Sequence, residues 1–209
     1  FKNTEESVYD TVIQTIRRLK KASVTFGLSV TLSEGTMKDP NFKQWLHDID
    51  VKGLGFNPLI FTDPSKDWKS YYKKIGKFLF ELRDYLTKFN IYDERLQRKY
   101  SAFEATNFKY NDCPARGAEQ IVITPNGDAV VCHGYWNKPQ NEICGNINKN
   151  TIEEIQNSNN YLKWKQNVTI NKKKCLKCPA LKMCGGGCAY QSDQLFHDQK
   201  AIDKPNCLY

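Results

Sequence analysis

Residues 175–188 read CLKCPALKMCGGGC, a C-x2-C-x5-C-x3-C run in which Cys175, Cys178, Cys184 and Cys188 place four sulfurs within fourteen residues. Thiolates at such short spacings are soft ligands that close on a metal ion or an iron–sulfur cluster, whereas a disulfide scaffold rarely needs its cysteines so close. A structural zinc site of four cysteines asks for two close pairs; a cubane cluster takes single cysteines from a loop that wraps around it. Cys175, Cys178 and Cys184 have the spacing of such a wrap, and Gly185, Gly186 and Gly187 permit the steep turns that point Cys188 toward a second site. The C-x2-C-x2-C-x3-C-P run of bacterial ferredoxins is not matched.

Upstream the chain reads Ile121-Val122-Ile123-Thr124, then Pro125-Asn126-Gly127-Asp128, then Ala129-Val130-Val131-Cys132. Asn-Gly between two β-rich runs predicts a tight hairpin, which sets Cys132 at the far end of the returning strand, close to Cys113. Thr151 and Glu154 form a capping box ahead of Ile152, Ile155, Leu162 and Trp164, so one or two short helices separate the hairpin from the cysteine run.

The first half has a different rhythm. Thr4 can cap a helix whose apolar positions Val8, Val12, Ile16 and Leu19 recur at helical spacing, with Arg17, Arg18, Lys20 and Lys21 near its C-terminus. From Gly27, Leu28, Val30 and Leu32 alternate with Ser29, Thr31 and Ser33, the period of a strand with one apolar and one hydroxyl-bearing face. Asp39-Pro40 opens a second helix marked by Phe42, Trp45, Leu46 and Ile49. Leu54 to Phe61 reads as a strand covered on both sides, and Asp67 caps a long helix carrying Tyr71, Ile75, Phe78, Leu79, Leu82 and Leu86. This alternation predicts parallel βα units over 1–92. Residues 93–112, charged and aromatic without clear periodicity, read as a connection to a second region, 113–209.

The 209 residues are 40% apolar and 12% aromatic, enough for buried cores, and 31 basic against 23 acidic side chains leave a net charge of +8. The charge is spread except at Lys172, Lys173 and Lys174, with Lys177 and Lys182 nearby. This cluster reads either as a solvated face or as compensation for a negatively charged metal cluster. No nucleic-acid-binding module is recognisable, and no apolar run approaches the roughly eighteen residues that span a bilayer, so no nucleic-acid partner and no membrane association are expected. The chain reads as soluble and cytoplasmic, where thiols stay reduced.

Cys113, the Pro-Asn-Gly-Asp hairpin leading to Cys132, Gly145-Asn146-Ile147, the run from Cys175 to Cys188 and the final Cys207 together resemble the SPASM domain of radical S-adenosylmethionine enzymes. The βα units of 1–92 are similar in layout to the last part of the partial barrel that precedes this domain. The resemblance implies an α/β fold: the C-terminal portion of a partial (β/α)6 TIM-like barrel followed by a small α+β domain with two iron–sulfur sites. It implies two auxiliary [4Fe-4S] clusters, the first on Cys113, Cys132 and Cys188, the second on Cys175, Cys178, Cys184 and Cys207. Cys144 either completes the first cluster or is a buried free thiol. It further implies an oxidoreductase that modifies a peptide or protein substrate and draws electrons from a reductant such as flavodoxin or ferredoxin. Sulfatase-maturing members place an aspartate directly after the second cysteine; here that position is His133, which reads as a base, a donor beside a ligand, or plain surface.

The family's catalytic cluster sits on a C-x3-C-x2-C loop where S-adenosylmethionine binds, and no such triplet occurs in these 209 residues. The expectation is therefore that the chain is the C-terminal part of an enzyme whose N-terminal remainder carries a third cluster and S-adenosylmethionine. Ser29, Thr31, Ser33 and Asn57 would then face that pocket, or simply follow strand alternation. The alternatives are a structural zinc-binding interaction module and a stand-alone iron–sulfur electron carrier.

Overall fold

The computed structural model describes residues 7–51, 53–104, 111–137 and 140–208. Helix α1 (Val8–Lys21) is capped by Ser7, whose hydroxyl accepts from the Asp10 N–H at 3.4 Å. The expected cap, Thr4, lies outside the described residues. Ile16 enters the core, whereas Val8, Tyr9 and Val12 stay about half exposed.

Strands β1 (Gly27–Leu32) and β2 (Gly53–Pro58) pair in parallel from Gly27↔Gly53 to Leu32↔Pro58. Two short helices, α2 (Glu34–Lys38) and α3 (Phe42–Asp48), make the crossover between them. The expected alternation holds: in β1 the apolar side chains are the more buried, while Ser29 and Thr31 are exposed. Ser33 instead caps α2 by accepting from the Thr36 N–H. Asp39 does not start α3 directly; its carboxylate accepts from the Asn41 N–H at 2.8 Å, and the helix begins at Phe42.

Asp67 caps α4 (Trp68–Lys88) by accepting from the Ser70 N–H, as expected. Tyr71, Ile75, Leu79, Leu82 and Leu86 form its buried stripe and pack with Leu32, Leu46 and Phe56 into the first core. The chain then returns to the sheet. Where a connection was expected, Tyr92–Asp93 is a third parallel strand, β3, paired to β2 through Gly53↔Tyr92 and Leu54↔Asp93, and Glu94–Glu104 is helix α5. The sheet order is β1-β2-β3. Buried Asp93 accepts from the Phe56 N–H (3.0 Å) and the Leu96 N–H, so one carboxylate tethers the strand and starts the helix. A two-residue strand built on an aspartate has no period to read.

The second half holds a small antiparallel sheet of β4 (Val122–Ile123), β5 (Asp128–Val130) and β6 (Gly145–Asn146), in that order. The hairpin forms with Val122↔Val130 and Ile123↔Ala129. Its turn is wider than the expected Asn-Gly type. Pro125 and Asn126 are its central residues, the Gly127 N–H donates to the Thr124 carbonyl, and Gly127 alone takes a positive φ (+83°). Proline's fixed negative φ suits the first central position and excludes the mirror-image turn there. The capping box at Thr151 and Glu154 opens α6 (Ile152–Gln156), and α7 (Asn159–Gln166) follows. Trp164 and Ile155, both fully buried, anchor the second core.

Three further short helices complete the chain: α8 (Lys173–Leu176), α9 (Leu181–Cys184) and α10 (Ala189–Phe196). Leu195 of α10 enters the first core, Phe196 meets Trp68 edge-on with ring centroids 6.2 Å apart, and α9 packs on α5. Apolar packing therefore joins the halves. Among the described residues no helix is long and apolar enough to cross a membrane.

Candidate functional site

Cys113 lies in the turn that opens the second half, where its carbonyl accepts from the Arg116 N–H at 3.0 Å. Cys132 follows β5, and its sulfur accepts from the Gly134 N–H at 3.4 Å. Cys188 caps α10 with its sulfur, 3.4 Å from the Gln191 N–H. The loops of Cys132 and Cys188 are pressed together, because a Cβ on Gly134 would lie 2.4 Å from the Tyr190 ring. Burial pushes the Cys132 thiol up to about 12; the Gly134 N–H opposes the rise, and the Cys188 and Cys113 sulfurs add to it. Burial likewise pushes Cys188 up to about 11, with Asp203 and Cys113 contributing. By exposure Cys132 is buried and Cys113 and Cys188 are half-buried.

The other four gather separately. Cys175 in α8, Cys178 in the following loop, Cys184 at the end of α9 and Cys207 in the final turn all line one cavity of about 600 Å³. Leu79, Phe80, Leu96 and Met183 make its apolar wall, and Lys99, Lys174 and Lys177 reach its rim. Burial pushes Cys184 up to about 11, the Gly186 N–H and Lys99 pull it down, and Cys207 repels it. Cys207 is raised by burial first, then by Asp203, Cys175 and Cys178, against Lys174. Lys99, nearly buried, donates to the Met183 carbonyl at 2.8 Å and pairs with Asp112 at 3.3 Å, which holds a cation beside the group.

The Gly185-Gly186-Gly187 turn separates the two groups. All three residues have positive φ (+56°, +84° and +70°). Each backs onto a side chain or backbone with no room for a Cβ: Asp112 at 2.3 Å, Thr169 at 2.1 Å and Asp203 at 2.6 Å. Buried Asp203 stitches the groups together by accepting from the Cys188 N–H (2.7 Å), from Gln191 (3.0 Å) and from Asn206, next to Cys207. Gln191, with no exposed surface, also accepts from the Phe61 N–H and the Tyr72 hydroxyl, so the same network reaches the first half of the chain. Arg116 is fully buried as well, and among the described residues its Nη2 has no hydrogen-bond partner.

Four of the expected cysteines, Cys175, Cys178, Cys184 and Cys207, line one cavity, while Cys113, Cys132 and Cys188 lie near one another outside it. Cys144 stands apart in its contacts: its buried thiol donates to the Glu142 carbonyl at 3.6 Å, and burial, Ser158 and Glu142 set its pKa, which lies above the usual thiol range. His133 is exposed, with Nδ1 3.4 Å from the Gln120 amide. Asn57 donates to Ser29 at 2.6 Å across the two strands, which the hydroxyl face allows without any ligand. In the lysine cluster, Lys172 is a structural tie. It donates to the Ala201 and Lys200 carbonyls, and burial lowers it to about 8. Arg116, Asp203, Gln191 and Lys99 were not singled out from the sequence; the one available signal was an arginine set among small residues three positions after Cys113.

The donor set fits an iron–sulfur group. All eight cysteines are free of disulfides, and four of them line one cavity. Among the described residues, no three His, Cys, Asp or Glu side chains close on a single-ion site. A tetrahedral zinc site draws its sulfurs to about 2.3 Å from one ion; four sulfurs around a cavity leave room for a larger group.

Residues 113–179 match the family model of SPASM, an iron-sulfur cluster-binding domain. This part of the chain is similar to that domain. Among solved structures, hexahistidine-tagged anSMEcpe with bound AdoMet superposes with a TM-score of 0.75 at 18% identity, covering 96% of this chain and 55% of that one. Native anSMEcpe with bound AdoMet and the Cp18Cys peptide gives 0.72 at 20% identity, covering 96% and 58%. With the Kp18Cys peptide the values are 0.66, 20%, 88% and 53%. The chain thus shares the fold of part of anSMEcpe and spans little more than half of that protein's length. No curated protein matches the sequence.

Proposed function

We propose that this chain is the auxiliary-cluster part of a radical S-adenosylmethionine enzyme that modifies a peptide or protein, with two [4Fe-4S] clusters held by its own cysteines. The observation that carries this reading is the separation of seven cysteines into two groups, four of them around one 600 Å³ cavity. Cys113, Cys132 and Cys188 would hold the first cluster; Cys175, Cys178, Cys184 and Cys207 would hold the second. When bound, such clusters supply one-electron redox capacity and an iron on which substrate can be oriented.

The remaining work falls to the residues. The Gly134, Gln191 and Gly186 N–H groups point at sulfur and favour thiolate over thiol at Cys132, Cys188 and Cys184. Lys99 and Lys174 act in the same direction at Cys184 and Cys207. Leu79, Phe80 and Leu96 exclude water from the cavity wall. The Asp203–Gln191–Tyr72 chain of hydrogen bonds fixes the cysteine groups against the parallel sheet, which we take as the rear of the partial barrel. We assign Cys144 a structural thiol's part, because its contacts are Glu142 and Ser158. The peptides bound to the anSMEcpe structures support a peptide or protein substrate, and free thiols suit the reducing cytoplasm, where a flavodoxin or ferredoxin would supply electrons. S-adenosylmethionine and a third cluster belong to a motif this sequence does not contain.

Anaerobic reconstitution with iron and sulfide tests the reading. A brown protein with roughly eight irons and eight acid-labile sulfides per chain is expected from two four-iron clusters; stoichiometric zinc without sulfide would overturn it.

A further inference from the structure

We propose that the Arg116 guanidinium is a built-in counter-charge and hydrogen-bond donor for the cluster on Cys113, Cys132 and Cys188, and raises that cluster's reduction potential. The inference rests on the reading of those cysteines as cluster ligands. Arg116 has no exposed surface and is fixed at three points. Its backbone N–H donates to the Cys113 carbonyl at 3.0 Å, Nε donates to the carbonyl of Gly187, the residue before Cys188, at 2.9 Å, and Nη1 donates to Asn167 Oδ1 at 3.0 Å. Asn167 is itself buried and oriented, since its amide nitrogen donates to the Gln199 carbonyl at 3.1 Å. Arg116 therefore ties the Cys113 turn, through its backbone N–H, to the residue before Cys188, through its guanidinium.

What the surrounding protein leaves undone is informative. Among the described residues, Nη2 is buried without a hydrogen-bond acceptor. A buried cation with an idle donor is costly, and native folds tolerate one where a ligand supplies the missing partner. Burial lowers the Arg116 pKa from the usual arginine value, and Cys188, Asp203, Cys113 and Cys175, in that order, oppose the drop, three of the four being cysteine sulfurs. Protonated thiols would offer this cation almost nothing; metal-bound thiolates and bridging sulfides would offer it both charge and acceptors. Arginine stays protonated throughout, so no proton moves with the electron. Adding one electron to the cluster raises its negative charge by one, and a fixed cation donating to sulfur stabilises the reduced form more than the oxidised one.

The test is a dithionite titration of the reconstituted protein, followed by electron paramagnetic resonance, in wild type, Arg116→Lys and Arg116→Met. Arg116→Met is expected to load the same iron and sulfide but to lower the first cluster's midpoint by about a tenfold change in reduction equilibrium, about 59 mV for a one-electron couple. Arg116→Lys, which keeps the charge and loses the forked donor, is expected to fall between, and the cluster on Cys175, Cys178, Cys184 and Cys207 is expected to move less in both. Unchanged midpoints in fully loaded Arg116→Met would overturn the proposal. So would loss of the fold in both variants, read by circular dichroism of the iron-free protein, because Arg116 would then be a structural strut only. Failure of wild type itself to take up iron and sulfide would instead defeat the assignment of the cysteines.

Discussion

Gly186→Ala should be among the most damaging single-methyl additions in this protein. Gly186 sits at φ +84°, where a residue with a Cβ is strained by about 1–2 kcal/mol. The added carbon would also lie 2.1 Å from Thr169 Oγ1 and 2.7 Å from its Cγ2, distances that real contacts do not reach. Thr169 cannot swing away cheaply. It is fully buried, and its hydroxyl donates to the Gly185 carbonyl at 3.0 Å. Displacing it adds an overpacking cost of about 1–3 kcal/mol. The sum, about 3 kcal/mol, at a slope of about 3 kcal/mol per molar urea lowers the unfolding midpoint of the iron-free protein by about 1 M. Because Gly186 also lines the cavity of the four cysteines, reconstituted Gly186→Ala should bind less iron at that site. Gly55→Ala in β2 is the control: nothing lies within 4 Å of its added carbon and its φ is ordinary, so its midpoint should match wild type or exceed it slightly. Equal midpoints for Gly186→Ala and Gly55→Ala would refute the claim that the triple-glycine turn is sterically required.

Gln191→Ala removes one hydrogen bond each from the Phe61 N–H, the Tyr72 hydroxyl and Asp203, of which Tyr72 keeps the Leu59 carbonyl and Asp203 keeps the Cys188 N–H, and should cost about 1–3 kcal/mol, read by urea denaturation. Asp93 gives a pH signature. Burial raises its carboxyl above the ordinary range against the Leu96 and Phe56 N–H groups, so the folded state keeps the proton to higher pH than the unfolded chain does. Its contribution is fully present below about pH 4 and lost as pH rises through the folded value, so the stability of wild type relative to Asp93→Asn should decline from pH 4 to pH 7. His133→Ala, at an exposed ring, should leave stability within about 0.5 kcal/mol of wild type and iron content unchanged.

Long periodic segments were legible in the sequence because burial wrote them there. The stripe Tyr71, Ile75, Leu79, Leu82 and Leu86 of α4 and the alternation of β1 both survive in the structure. The cap at Asp67 and the box at Thr151 were readable because their chemistry is local. The third strand was not, since Asp93 holds it through its carboxylate rather than through an apolar pattern. Cys175, Cys178 and Cys184, read as one wrap from their spacing, do line one cavity, but the spacing did not say what would stand beside them. Arg116 and Asp203 are ordinary charged residues in the sequence, and only the fold brings Arg116 to Gly187, 71 positions away.

The central claim is that these cysteines form two independent groups. The most direct measurement is iron content with electron paramagnetic resonance on two reconstituted double variants, Cys113→Ser with Cys132→Ser, and Cys178→Ser with Cys207→Ser. Each should lose about four irons, as expected for one cubane cluster, and keep the signal the other loses. If both variants lose the same signal, or either loses all its iron while remaining folded, the two-group account is wrong.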